Sequence, residues 1–352
     1  MNRKYAVIAV ALAVFLVLAP PARGQGQPQG QSQAQSQSQI KYGGYLSFEY
    51  IDGQAESLFP KAGMQNLLAG FAVAGLVGGK FGFSIEARTL GVPTSELAPA
   101  WAFELDQAWA GFVPSKAVSI KAGLYIVPFG AWNRSSRPHE TLLIRTPLNL
   151  EFLYPPMWRD LGVLIEGEVG VLSYAAYLGN GLAESETLGA GQQFRDNNAD
   201  KAKGGRIGFS VGQGGRAGVS YYTGKMDDQD MRDLILEGAD LSWMAGQWEL
   251  HGEYTKAIIE NPQPFENGKS EGYAIWATMG SRGFQPIGSF QKVKYDDPYH
   301  GGGILRDQSR WTLGLRYVLG PTFFIKAEYD WNKEKEPVLK NDQFQVQLGV
   351  SF

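Results

Sequence analysis

Between Ala131 and Asp160 stand Arg134, Arg137, His139, Arg145 and Arg159, set against Glu140, Glu151 and Asp160. Guanidinium groups recognise carboxylates, phosphates and other anions through paired N–H donors, and charged groups lining a water-filled path select ions. The same pairing also anchors a loop to nearby carboxylates. Each arginine therefore has two readings with equal claim, solute contact and anchoring. Pro138, Pro147, Pro155 and Pro156 keep the stretch from being helical throughout.

Catalytic patterns occur but lack their setting. Gly208-Phe209-Ser210-Val211-Gly212 has the spacing of a nucleophile elbow, which needs a strand, a sharp turn and a helix; here it runs through a strand into a hairpin. Gly212-Gln213-Gly214-Gly215-Arg216-Ala217 has dinucleotide-fingerprint glycines but strands on both sides, so no helix N-terminus meets a pyrophosphate. Gly268-Lys269-Ser270 lacks the earlier glycine of a phosphate loop, which is Gln263 here. Cysteine is absent and the only histidines are His139, His251 and His300. No cofactor, metal site or enzymatic activity is expected. A hydrolase alternative would use Ser210 or His251.

The elements that must position the arginines are strands. In Gln343 to Phe352, Phe344, Val346, Leu348, Val350 and Phe352 fall on one face. Gln343, Gln345, Gln347, Gly349 and Ser351 fall on the other. An apolar face of that kind on a water-soluble edge strand invites aggregation; facing lipid, with the polar face toward a wet lumen, it is stable. The same alternation puts Trp311, Leu313, Leu315 and Tyr317 opposite Arg310, Thr312, Gly314 and Arg316. It recurs through 117–129 and 322–331. Trp101, Trp109, Trp243, Trp248 and Trp331 lie near strand ends, where a membrane interface favours them.

Connections alternate between short and long. Gly78-Gly79, Pro114-Ser115-Lys116, Gly170, Gly212-Gln213-Gly214-Gly215, Gly246 and Gly320-Pro321 make tight turns; the segments between, of which 131–160 is the longest, are loops. The pattern predicts an all-β fold, a transmembrane antiparallel β-barrel of about 16 strands (14–18) over 40–352, with both termini at the short-turn end. A barrel of that size encloses an aqueous channel. The competing all-β reading is a large soluble sandwich. Loop 131–160 is the expected constriction. Arg134, Arg137, Arg145, Arg159, Lys121, Arg88, Arg316 and Lys326 are the candidate channel-lining residues. Lys80, Arg206, Arg216 and Arg310 join them on the wall, with Glu86, Glu104, Asp106, Glu166, Glu168, Glu249 and Glu253 in rough balance.

Arg3 and Lys4, the apolar run Tyr5 to Ala19 and the small residues around Ala22-Arg23-Gly24 predict a signal peptide over 1–24. Residues 25–39 are almost only Gln, Ser, Gly and Ala, which predicts a disordered periplasmic lead-in. The formal charge of −3 becomes about −6 without the signal, which offers no basic surface to a nucleic acid.

Lys121-Ala-Gly-Leu-Tyr-Ile-Val-Pro-Phe-Gly130, then Trp158-Arg159-Asp160-Leu161-Gly162-Val163, then Asn180-Gly181 together resemble the phosphate-selective porin O and P type family. The resemblance implies a sixteen-stranded trimeric channel in the bacterial outer membrane for small, mostly anionic solutes. It does not extend to the dense arginine ladder and lysine cluster of phosphate-specific members. The last strand, ending on Phe352, resembles the segment by which outer-membrane barrels are recognised by their assembly machinery. Together these readings predict a porin for passive diffusion of small hydrophilic solutes, with anion preference as one option, in contact with outer-membrane lipid; a plugged structural or adhesive barrel is the remaining alternative.

Overall fold

The computed structural model describes residues 39–93, 99–280, 283–300, 307–335 and 338–352. The expectations for 1–24 and for the lead-in up to 38 lie outside the described residues, as does the side chain of Trp101.

Sixteen strands form one closed barrel. Before the third loop come β1 (Gln39–Gly53), β2 (Gly63–Val77), β3 (Phe81–Pro93), β4 (Pro99–Ser115) and β5 (Val118–Ile126). The loop carries a short helix, α1 (Leu148–Leu153). Beyond it run β6 (Arg159–Val169), β7 (Leu172–Gly179), β8 (Ala202–Val211), β9 (Gly215–Lys225), β10 (Asp233–Ala245) and β11 (Trp248–Ile259). The last five are β12 (Gly268–Met279), β13 (Phe284–Lys294), β14 (Asp307–Leu319), β15 (Phe323–Glu334) and β16 (Gln343–Ser351). Every neighbouring pair is antiparallel. β1 and β16 close the ring with Tyr45 opposite Ser351 and Gly53 opposite Gln343. Phe352 and Gly44 extend the seam with two backbone hydrogen bonds of 3.0 Å. Closure leaves no edge strand to aggregate.

Alternation decides which face each side chain takes. On β14, Arg310 is 1% exposed and Trp311 59%. On β16, Gln345 and Gln347 are buried while Phe344 is exposed. The tight turns at Gly170 and Gly246 have φ of +62, a conformation costly for any residue with a Cβ. Trp243, Trp248 and Trp331 stand exposed on the outer face, as expected. Trp109 does not. It pairs across from Gly123 on the inner face and lies beneath the Lys121 ammonium, 4.4 Å from its ring centre.

β5 ends at Ile126, and the chain turns into the barrel at Val127 instead of continuing the wall. Ile126 is paired with Arg159, the first residue of β6, whereas β4 runs on past that level to Pro99 without β5 beside it. Arg159, at the start of β6, spans that breach: Nη1 donates to the Leu105 carbonyl at 2.9 Å and to Asp106 at 3.0 Å. A bulge between Glu86 and Ala87 makes Asp106 the extra residue on β4. Arg159 therefore stitches wall to wall. It belongs to neither the loop nor the passage, contrary to the sequence reading.

Candidate solute passage

The third loop lies inside the barrel and is docked along its length. Near its start, the Gly130 N–H donates to Ser220 Oγ at 3.2 Å, and the Ala131 and Trp132 N–H groups donate to Glu253, both at 3.1 Å. Tyr154 donates its hydroxyl to the same carboxylate. Asn133 ties the two ends of the loop, donating to the Val127 carbonyl at 2.8 Å and the Trp158 carbonyl at 3.0 Å. Glu253 is thus a buried post for the loop; it does not face a wet lumen as the alternation of β11 suggested.

The middle of the loop is held by the opposite wall. Lys326 Nζ donates to Thr141 Oγ1 at 2.9 Å and the Leu143 carbonyl at 3.3 Å. Glu328 accepts the Ile144 N–H at 2.9 Å, and Gln291 accepts the Leu148 N–H at 2.9 Å. Arg316 donates to the His139 carbonyl at 3.0 Å. Arg310 donates to the Thr146 carbonyl at 3.1 Å and pairs with Glu151 at 3.0 Å. Lys326 is fully buried, so it is a loop anchor and does not line a channel.

An apolar core fills the space between the loop and β5–β13. Phe129, Leu150, Leu153, Tyr154 and Trp158 from the loop pack on Tyr222, Leu234, Leu236, Ala257, Ile259 and Trp276 from the wall. Trp158 meets Tyr222 edge-on at 4.9 Å and Phe129 at 5.8 Å between ring centres. Gly238 makes room for the Phe129 ring, which a Cβ there would meet at 2.9 Å. The sequence reading missed this apolar inner face. Its signal was Leu234-Ile235-Leu236 and Ala257-Ile258-Ile259, runs that stop alternating because both faces are covered.

On the far side of the loop, three cavities follow one another along β1–β3 and β16. The one nearest the short turns, about 580 Å3, is lined by Tyr45, Ser84, Glu86, Arg137, His139 and Glu140. At mid-height a cavity of about 170 Å3 meets Glu49, Arg88, Ile144, Pro156, Met157 and Gln347. Toward the long loops a third, about 280 Å3, meets Glu49, Arg145, Glu151, Asn66, Gln343 and Gln345. The polar face of the closing strand is therefore part of this wall, as its alternation implied.

The arginines along this route are matched. Arg137 pairs with Glu86 and, at 3.1 Å, with Glu140. Arg88 pairs with Glu104 at 2.8 Å and Asp106 at 3.3 Å. Arg145 pairs with Glu151 at 2.9 Å. Burial pushes the Glu151 carboxyl up, but Arg145 and Arg310 outweigh it and hold it below its usual range. Glu49 accepts from Asn66 and Gln347, both at 2.7 Å, with no cation paired to it among the described residues. Burial lowers the His139 imidazole below 6.5, aided by Arg137 and Lys326 against the pull of Glu140. Arg134 and Lys121 lie elsewhere, on the short-turn side beneath the docked loop. Lys80 sits exposed in the turn after β2.

The residues named for hydrolysis are not together. Ser210 on β8 is three strands from His251 on β11. His251 Nδ1 instead faces Ser242 Oγ at 3.0 Å and its Nε2 faces Glu249 at 2.7 Å, with the ring stacked on Trp276.

The fold is that of the outer-membrane porins: a sixteen-stranded antiparallel barrel with a loop folded inside. An anion-selective porin from Comamonas acidovorans superposes over 90% of this chain and 99% of its own, with a TM-score of 0.64 and 13% identity. The outer membrane channel DcaP of Acinetobacter baumannii does so over 92% and 100%, at 0.66 and 10%. OmpF of Salmonella typhi, solved with daunomycin, matches over 89% and 97%, at 0.65 and 15%. In sequence, an uncharacterized protein of Aquifex aeolicus is 23% identical over 223 residues, 60% of this chain; the match spans about half (51%) of that relative's length. No family model matches the chain.

Proposed function

We propose that this chain is a passive outer-membrane pore for small hydrophilic solutes, with short turns toward the periplasm and long loops outside. The carrying observation is that the third loop is locked inside a closed barrel and leaves three cavities with charged and polar linings in succession beside β1–β4 and β16. Similarity to a Vibrio cholerae outer membrane protein solved in a trimer form, at 11% identity, supports a homotrimer. The exposed apolar stripes support contact with lipid, and the strand ending at Phe352 supports recognition by the barrel-assembly machinery.

The passage favours weak ion selectivity. A phosphate ladder needs unpaired guanidinium groups in sequence, whereas Arg88, Arg137 and Arg145 each face a carboxylate. The reversal potential under a salt gradient tests this: a permeability ratio within about threefold of unity is expected for paired charges. Strong anion preference would sink it. Liposome swelling tests the passive route. Small neutral sugars should enter and larger oligosaccharides should not, while exclusion of all sugars would rule the reading out.

Ser242, His251 and Glu249 support a second reading, hydrolysis inside the barrel. The strand ladders around Ser242 occupy its neighbours' backbone N–H groups, so no oxyanion hole is formed there. Ester hydrolysis by the purified chain that disappears in Ser242→Ala would establish this reading; the same rate in both would dismiss it.

A further inference from the structure

A fourth cavity, about 670 Å3, opens at the short-turn end under the docked loop. It is walled by β1–β8 and the start of the loop. On the loop side it is bounded by Pro128 and Arg134. This space, the bay, adjoins the short-turn cavity of the passage: its Ala74, Gly82 and Trp109 are each two residues along the same strands from Ala72, Ser84 and Gln107 in that cavity's lining.

Its two sides differ in chemistry. One carries Lys41, Lys116, Lys121, Arg134 and Arg206 against Glu166 and Glu168. Lys121 is matched by Glu166, and Arg206 is gripped by Asp240 at 2.6 and 3.1 Å. Lys41, Lys116 and Arg134 have no carboxylate partner among the described residues. Arg134 is exposed into the bay, within electrostatic reach of Arg206 and Arg216 and of the Asp240 and Glu166 carboxylates, though paired with neither. Beside the charged side lies an apolar patch: Leu76, Trp109 and Val113 cluster over Gly82, whose missing side chain leaves the hollow they border, and the Lys121 ammonium lies 4.4 Å from the Trp109 ring centre. Elsewhere an inner wall that meets water is polar, so an apolar patch in the same cavity as an unpaired guanidinium calls for an explanation.

We propose that the bay is a binding site for organic anions with a compact apolar body, one carboxylate, sulfonate or phosphate on a ring or short chain. Arg134 takes the anionic group and Trp109, Leu76 and Val113 take the body. Its direction toward the periplasm rests on the pore reading; the binding does not.

The test is calorimetric titration of the detergent-purified full chain with 2-naphthalenesulfonate and, separately, inorganic phosphate, with empty micelles as the blank. One naphthalenesulfonate per chain is expected, bound at least about tenfold more tightly than phosphate because only it buries apolar surface. Arg134→Gln should weaken it about tenfold or more by removing a charge-assisted contact. Val113→Asp should do the same by placing a carboxylate in the apolar wall. Arg134 makes no contact that the fold needs, and a retained heat-modifiable band verifies folding in both variants. Absence of binding, equal affinity for the two anions, or unchanged affinity in Arg134→Gln overturns the site. Binding by a chain that does not conduct would sink the pore reading and leave the bay standing; conduction without binding would do the reverse.

Discussion

At the scale of residues, a cation's neighbours decide its role. Arg137, Arg145, Arg310 and Lys326 all hold the third loop, and charge alone could not say so, because solute contact and anchoring use the same donors. Lys326→Met keeps the length of the side chain but leaves Thr141 and the Leu143 carbonyl without their donor. It should lower the thermal unfolding midpoint and add noise to the open state, both readable against wild type. His139 gives a pH dependence. Its lowered pKa means the undocked loop takes up a proton more readily than the docked one, so docking is firm above 6.5 and weakens as pH falls through it. Channel noise should rise between neutral pH and about pH 5, and His139→Gln should remove the change. Glu151 acts at lower pH. Its carboxyl is depressed, so its ion pairs are complete above the ordinary value of 4.5 and are lost as pH falls beneath it.

At the scale of elements, the strands were legible and the loop's seat was not. Alternation and glycine turns put the strand count at about sixteen and the strands at 117–129, 322–331 and 343–352 close to their observed positions, because period-two burial is imposed by the pleat itself. Register bulges and the exit of the chain at Ile126 left no such trace, so Arg159 was read as part of the loop. The apolar inner faces of β10 and β11 were visible only as lapses of alternation, and were passed over because a lumen wall was expected to be wet. The docked loop rests on that core. Trp158→Ala should cost about 3–5 kcal/mol of stability, the usual range for an emptied aromatic site. Urea titration would show it, and a loss below about 1 kcal/mol would mean the aromatic layer does not hold the loop.

At the scale of the whole molecule, the barrel is divided. A core-filled half carries the loop, and an open half along β1–β3 and β16 carries the passage. The basic bay lies at the short-turn end beneath the loop, beside the first cavity of that route. That division explains why charge counts over the whole lumen wall say little about selectivity: most of those charges are partnered, and several are not on the path. The claim that matters most is that this route conducts. Insertion of the purified chain into a planar bilayer should give stepwise, ohmic conductance increments, each lowered when Gln345→Trp narrows the passage. A barrel that shows its heat-modifiable band but gives no steps, or steps indifferent to Gln345→Trp, would contradict it.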